Sequence, residues 1–450
     1  MKSRSSTEKT PLLSHSQTSP AQHGNWKSSL VRWPPSSMPT WTTNSKALIE
    51  ELRVRPQHVP DEQELSDLFC DLMFHREVEA LRTILSQEYL PILHIKSVYG
   101  QQHRDLSIAL QTLLKAMPDQ WPVKELTLTN QHLDKESCSL LFKVFEKMPA
   151  LESLHLYALD VDNPRFGFGL PTCSQPLKLQ ILRLENTHSA SPFLDRILEA
   201  SPRLRVLYLD SNYGFTVNEH QSLAQALKRL TELRKLTLRQ LRYDVNANLE
   251  TVLRPYAEFV AHQTTLEHLD ISGNPLTSDH CTALWNALQD KTNLTSLSLA
   301  NCWQCDDKAH SLAQLVHLKS LVSLDLSNNQ FLASPPTSST SVVLISLADH
   351  PRLERLNLNL SMEPSLVNDL AYMLANNKTL ISLELPVMNN ADYAPLVEAM
   401  QINHTLRSLS IRGIEDQCSL MTAEQRQQRH PNYLALMNCI ARNQKQNDKN

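Results

Sequence analysis

One pattern recurs along this chain so often that it leaves little freedom for anything else: an apolar residue, then a second three places on, then a third two places further. It begins at Val123, Leu126 and Leu128 and returns at Leu151-Leu154-Leu156, Leu179-Leu182-Leu184, Leu204-Leu207-Leu209 and Leu233-Leu236-Leu238. Six more follow, at Leu266-Leu269-Ile271, Leu294-Leu297-Leu299, Leu321-Leu324-Leu326, Leu353-Leu356-Leu358, Leu380-Leu383-Leu385 and Leu406-Leu409-Ile411. Successive starts lie 25 to 33 residues apart. A period of that size means one small unit used repeatedly, not the two or three unrelated domains that 450 residues would otherwise accommodate.

The second half of each motif reads as a short strand. Its fourth and sixth positions point to one side, while the third, fifth and seventh point to the other. Between strands the period changes. From Asp134 to Met148 the apolar residues Cys138, Leu141, Phe142 and Phe145 recur at helical spacing behind Asp134, a suitable N-cap. After Asn274 the same happens, with Ser278 ahead of Cys281, Leu284 and Leu288. Each unit is therefore strand, turn and helix, and none could bury its apolar side alone, so the units must stack. With 41% hydrophobic residues the chain can fill the shared core, and only 7 glycines exclude a collagen-like or Gly-rich flexible chain.

These eleven registers resemble the leucine-rich repeat family in its long, ribonuclease-inhibitor-like form. The resemblance covers residues 123–415 and implies an α/β fold, a horseshoe solenoid with a concave parallel β-sheet and convex helices. It also implies a ladder at the ninth position of each repeat, where Asn or Cys side chains bond turn backbone. Asn212, Asn274, Cys302 and Asn329 fit, Thr187 and Ser361 can partly substitute, and Leu159, Leu241, Met388 and Ile414 cannot. The ladder is thus expected to be continuous only in the middle of the array.

The flanks have other compositions. Residues 1–45 hold 11 Ser, 6 Thr and 5 Pro, lack either hydrophobic period, and are expected to be disordered. Residues 46–122 read as a helical N-terminal cap, with helical stretches at 61–87 and 104–117 and a degenerate strand at Leu90, Leu93 and Ile95. Residues 416–450 read as a C-terminal helical cap, carrying Tyr433, Leu434, Met437 and Ile440, and a polar tail. Two intervals break the solenoid: Asn163 to Pro171, a loop in place of a helix with Arg165, Phe166 and Phe168 as contact candidates, and Ser334 to Thr340.

Charge and cysteine content exclude several classes. The balance of 43 Lys plus Arg against 47 Asp plus Glu is −4, with +5 in residues 1–46 and −9 in the remainder. That is no general nucleic-acid binder, because neutralising phosphates needs a clustered cationic excess. No apolar run approaches the roughly 20 residues that cross a bilayer, so no integral membrane segment is expected. Eight cysteines and the absence of a signal-type segment point to reduced thiols in a cytoplasm, where the sequons at Asn293 and Asn403 would stay unmodified. Cys302-Trp-Gln-Cys305 is one C-x-x-C without the further ligands zinc needs or a thioredoxin-like context. Phe166-Gly-Phe-Gly169 follows no βαβ unit, the eighteen histidines show no paired spacing, and no nucleophile stands out. No metal, cofactor or catalytic residue is expected. Fewer than 40 residues follow Ile411, too few for the catalytic domain of bacterial leucine-rich-repeat ubiquitin ligases.

What remains is the concave sheet as a surface for a protein partner. Large and charged groups concentrate in the second to sixth repeats: Tyr157, Arg183, Glu185, Tyr208, Asp210, Lys235, Arg239, His268 and Asp270. The seventh and eighth offer mainly small groups, among them Ser296, Ser298, Ala300, Ser323 and Ser327. Tyr and Arg carry a large share of interface energy, so the patch belongs in the N-terminal half. Glu8, Leu12 and Leu13 resemble the acidic dileucine sorting signal, which implies a contact between the tail and a clathrin adaptor and an endosomal association. The polar termini and the lack of an export signal resemble effectors that intracellular bacteria deliver into host cells, which would make the partner a host protein and the host cytosol the place of action. A host scaffold shares that style. The alternative is a small-GTPase regulator: Ran GTPase activators resemble this chain in having eleven long repeats, and Arg165 would be the loop arginine, although their acidic tail is missing here.

Overall fold

The middle residue of every one of the eleven triplets lies in a strand. The computed structural model describes residues 62–85, 92–96, 106–161, 172–188, 191–212, 215–241, 249–276, 278–302, 315, 317–329, 339–359, 364–411, 413–419 and 421–447, all of them within one compact unit. Its strands are β1 (Ile92–Lys96), β2 (Glu125–Thr129), β3 (His132–Leu133), β4 (Ser153–Tyr157), β5 (Asp160–Val161), β6 (Ile181–Glu185) and β7 (Val206–Asp210). Further along come β8 (Lys235–Arg239), β9 (His268–Asp270), β10 (Ser296–Ser298), β11 (Ser323–Asp325), β12 (Arg355–Asn357), β13 (Ser382–Leu385) and β14 (Ser408–Ile411). Twelve form one parallel sheet in chain order, and β3 and β5 pair separately beside it. The fold is a leucine-rich-repeat solenoid.

Register follows from the side-chain period. Leu126 pairs with Leu154, Leu154 with Leu182, Leu182 with Leu207, and so on to Leu383 with Leu409. A slip of one residue would turn every leucine to solvent, so the buried face pins the alignment. The sheet begins one strand before the eleven motifs: in β1, Leu93 and Ile95 are buried and pair with Leu126 and Leu128.

Helices cover the leucine side. The segment after β3 is a helix, Lys135–Glu146, with Asp134 accepting the Ser137 amide at 2.7 Å as its N-cap. Cys138, Leu141, Phe142 and Phe145 all face the core. Phe142 meets Phe193 of the next described helix, Ser191–Ala200, edge to face at 5.7 Å, so the rings join the helices of the first and third repeats. The stretch expected as one helix over 61–87 is two, Glu62–Phe74 and Val78–Leu85. The chain turns at Arg76, which adopts φ 63°, and the break lets Leu81 and Leu85 be buried as well as Phe69 and Leu72. Continuous apolar spacing concealed that turn. At the other end the helices are Ile414–Ser419, Ala423–Arg429 and Pro431–Asn447, in place of one continuous element. Tyr433, Leu436, Cys439 and Ile440 are buried there, while Leu434 and Met437 are only half-buried.

The turn after each strand is tightly specified. Asn130, Ala158, Asn186, Ser211, Gln240, Gly273, Asn301, Asn328 and Gly413 all occupy the eighth position of their repeats, and all have positive φ. Asn and Gly tolerate this region, which accounts for six of the nine. At Gly273, φ +75°, an added Cβ would also lie 2.7 Å from Gln240 Cγ. One residue on, the ladder is present where the resemblance places it. Asn212 Nδ2 donates to Leu184 O at 3.1 Å and its Oδ1 accepts from Thr187 N at 3.0 Å. Asn274 bonds Leu238 O at 2.6 Å, Ile271 O at 2.7 Å and Leu241 N at 2.9 Å. Asn329 bonds Leu299 O at 2.9 Å and accepts from Cys302 N at 2.7 Å. Thr187 takes part by donating to Glu185 O at 3.2 Å, whereas Leu159, Leu241 and Ile414 are simply buried. Ser361 lies outside the described residues.

A second ladder, unforeseen from sequence, runs along the helix-to-strand turns. His350, Asn377 and Asn403 stand three places before their repeats and bond the previous turn through Leu318 O at 3.2 Å, Leu347 O at 2.9 Å and Leu374 O at 2.7 Å. Each also accepts the amide at the start of its own repeat, that of Leu353, Leu380 or Leu406. Asn443 of the last helix closes the series by donating to Leu406 O at 2.8 Å. The Asn403 sequon is thereby sealed, its amide buried in this ladder, while the Asn293 amide donates to Thr264 O at 2.8 Å on the exposed turn.

Candidate partner-binding face

On strands β4, β6, β7 and β8 the even positions are buried and the odd ones are half-buried or exposed, so the sheet has one sealed and one open face. The repeat builds this automatically. Leucines at the fourth and sixth positions fix the backbone, and whatever occupies the third, fifth and seventh is held on a rigid grid about 4.8 Å between strands.

Tyr208 on β7 is the centre of the grid. Arg183 on β6 and Arg239 on β8 each place their guanidinium carbon 5.9 Å from its ring centroid. The Tyr208 hydroxyl donates to Asp210 Oδ2 at 2.9 Å. Arg239 donates through Nε and Nη2 to Asp270 Oδ2, both at 2.6 Å, and lies 3.9 Å from Asp210 Oδ2. Burial, then the Asp210 charge, holds the Tyr208 hydroxyl above its ordinary range, so it stays protonated and a donor. Burial works against the Arg239 charge, but the Asp270 carboxylate outweighs it and raises its affinity for the proton. The remaining carboxylate oxygens are also occupied: Asp210 Oδ1 accepts from Ser211 Oγ at 2.9 Å and Asp270 Oδ1 from Ser272 N at 3.0 Å.

Of the nine residues expected to form the patch, five therefore meet in one network: Arg183, Tyr208, Asp210, Arg239 and Asp270. Glu185 is beside it, 3.3 Å from His155 Nε2. His155 in turn packs edge to face with Tyr157 at 6.3 Å, and Tyr157 is 37% exposed. Lys235 and His268 stand apart at the third positions of β8 and β9, paired in register. Burial, then the Lys235 and Arg355 charges, lowers the His268 pKa. Ser211 holds Asp210 through its hydroxyl and Ser272 holds Asp270 through its main-chain amide, roles that the residue types in the sequence do not signal. The loop candidates Arg165, Phe166 and Phe168 and the sorting-like residues Glu8, Leu12 and Leu13 lie outside the described residues.

Other chemistry is quiet. Burial raises the Cys138 thiol to about 12 and the Cys173 thiol to about 11, leaving both as unreactive thiols. Cys302 is buried in the ladder, with Sγ 3.4 Å from Ile271 O, and Cys305 lies outside the described residues. Among the described residues no group of three or more His, Cys, Asp and Glu is placed to hold a metal ion, and no helix is long and apolar enough to cross a membrane.

The family model described as Leucine Rich Repeat matches residues 265–287 and 320–341. With the twelve-stranded parallel sheet, that match supports a leucine-rich-repeat protein. No curated protein matches the sequence. Among solved structures, a chain from the complex of Rad7 and Elc1 in yeast is 18% identical, with 83% of this chain and 93% of that one covered at a TM-score of 0.38. The actin-binding site 2 of leiomodin-1 is 16% identical, with 43% of this chain and 90% of that one covered at a TM-score of 0.26.

Proposed function

We propose that this chain is a non-enzymatic protein-interaction module that receives a protein partner on the open face of its sheet, centred on strands β4 to β9. One observation carries the reading: a tyrosine set between two arginines, one of them held by the Asp270 and Asp210 carboxylates, forms a preorganised polar and aromatic surface that no helix among the described residues covers. Preorganised Tyr and Arg groups lose little entropy on contact, which is why such groups dominate interface energies. The finer readings rest on sequence alone. A host-cell site of action and an adaptor contact depend on residues 1–45, and GTPase regulation on Arg165, so no observation in the fold favours them.

A photo-crosslinking benzoylphenylalanine placed at Tyr157 or Thr237, on the open face, is expected to form protein adducts in cells. The same group at Lys143 or Glu258, exposed on the helix side, is expected to form none. Joint substitution Tyr208→Ala and Arg239→Ala should abolish the open-face adducts with circular dichroism unchanged. Adducts confined to the helix-side positions would sink the reading.

A further inference from the structure

At the centre of the open face the Asp210 and Asp270 carboxylates are engaged, whereas two of the cations beside them are not ion-paired among the described residues. Both oxygens of Asp210 and both of Asp270 are held by Tyr208, Ser211, Arg239 and Ser272, and Glu185 has its Oε1 against His155. Arg239 is matched by the carboxylates it holds. Arg183 and Lys235 form no ion pair among the described residues, and only the face of Tyr208 lies against the Arg183 guanidinium. The two cations sit on β6 and β8, on either side of β7, roughly 10 Å apart across the strands. Between them on β7 lie Val206 and Tyr208. Half-buried Val206 pairs in register with Lys235 on one side and, on the other, with half-buried Ile181, two residues before Arg183, and the two aliphatic side chains make an apolar floor beside the cations.

We infer that the partner presents an acidic segment, with carboxylates reaching Arg183 and Lys235 and an apolar side chain resting on Ile181 and Val206. This deepens the proposed function and rests on it. Charge-assisted bonds from a guanidinium are strong and directional, and that of Arg183 lies over the Tyr208 ring with its carbon 5.9 Å from the centroid. An acidic peptide fits better than a nucleic acid. The carboxylates of Glu185, Asp210 and Asp270 flank the two cations and would repel a continuous phosphate chain, whereas a peptide can space its charges to avoid them.

The test uses the full chain and four fluorescent probes: a short peptide alternating Glu with Val and Leu, its Gln counterpart, its Lys counterpart, and an oligothymidine of similar length. Anisotropy titrations should show the Glu peptide binding at least about tenfold tighter than the Gln peptide, with the difference shrinking as salt rises. Arg183→Gln with Lys235→Gln should remove that preference. Arg183→Glu with Lys235→Glu should transfer it to the Lys peptide, with circular dichroism and thermal unfolding reporting the fold of both variants. Equal binding of the Glu and Gln peptides, a preference that survives the Gln substitutions, or tighter binding of oligothymidine overturns the inference. Open-face crosslinks that persist when the Glu peptide fails mean that the face is right and its chemistry wrong. Loss of both removes the proposed function too.

Discussion

His220 is a fully buried imidazole beneath the helices, with Nδ1 2.9 Å from the Tyr256 hydroxyl and its ring stacked on Phe215 at 5.4 Å. No partner meets its Nε2, and burial lowers its pKa from 6.5 to about 4. The folded state therefore resists the proton that the unfolded state accepts, so this contribution to stability is complete above about pH 6.5 and is lost as pH falls toward 4. By linkage, the wild type should lose about 2 kcal/mol of unfolding free energy from this residue between pH 7 and pH 5. Urea unfolding of His220→Phe at both values should show a loss smaller by that amount; an identical pH dependence would reject the assignment. Sequence offered no route to this residue, because its environment is set by Tyr256, 36 positions away. The patch residues were legible to a different degree. Their odd positions on the strands placed them on the open face, but which of them would pair was not, since Arg239 reaches Asp270 only once β8 and β9 lie in register.

At the scale of the element, the strand-turn-helix unit was almost wholly visible. Leucine spacing reports a backbone whose two sides face different media, and the change of period reports where strand gives way to helix. The turn was half visible. Its ninth-position ladder followed from the family resemblance, whereas the positive φ at the eighth position went unread because Ala158, Ser211 and Gln240 disguise the Asn and Gly that favour it. Asn274 bonds Leu241 N, Leu238 O, Ile271 O and Ser272 O, so its removal takes several main-chain bonds from a buried turn at once. Asn274→Ala is expected to cost about 3 kcal/mol, against about 1 kcal/mol for Thr187→Ala, whose hydroxyl makes one such bond. Urea midpoints followed by far-ultraviolet circular dichroism check this, and equal costs would show that the ladder is not what holds the turn. The break at Arg76 is hidden in the sequence for the opposite reason: apolar residues on both sides of it preserve a helical rhythm across the turn.

For the whole array, each repeat touches chiefly its neighbours, so stability spreads from unit to unit and the ends need covers. Helix Pro431–Asn447 is one: Arg442 donates to Met400 O at 2.7 Å and Asn403 O at 2.9 Å, Asn443 to Leu406 O at 2.8 Å and Gln444 to Arg407 O at 2.6 Å. Deleting residues 431–447 should strip hydrogen-exchange protection from β13 and β14 while β6 to β8 keep theirs. Uniform loss across the sheet would mean that the array unfolds as a single block.

By itself the sequence determined the repeat, the strand register and the side of the sheet on which each residue falls, because burial alternation is local and a one-residue error would expose the leucines. Tertiary structure alone decided which groups of that open face neutralise one another and which form no ion pair among the described residues. Those pairings join residues about thirty positions apart, and only stacking brings them within reach.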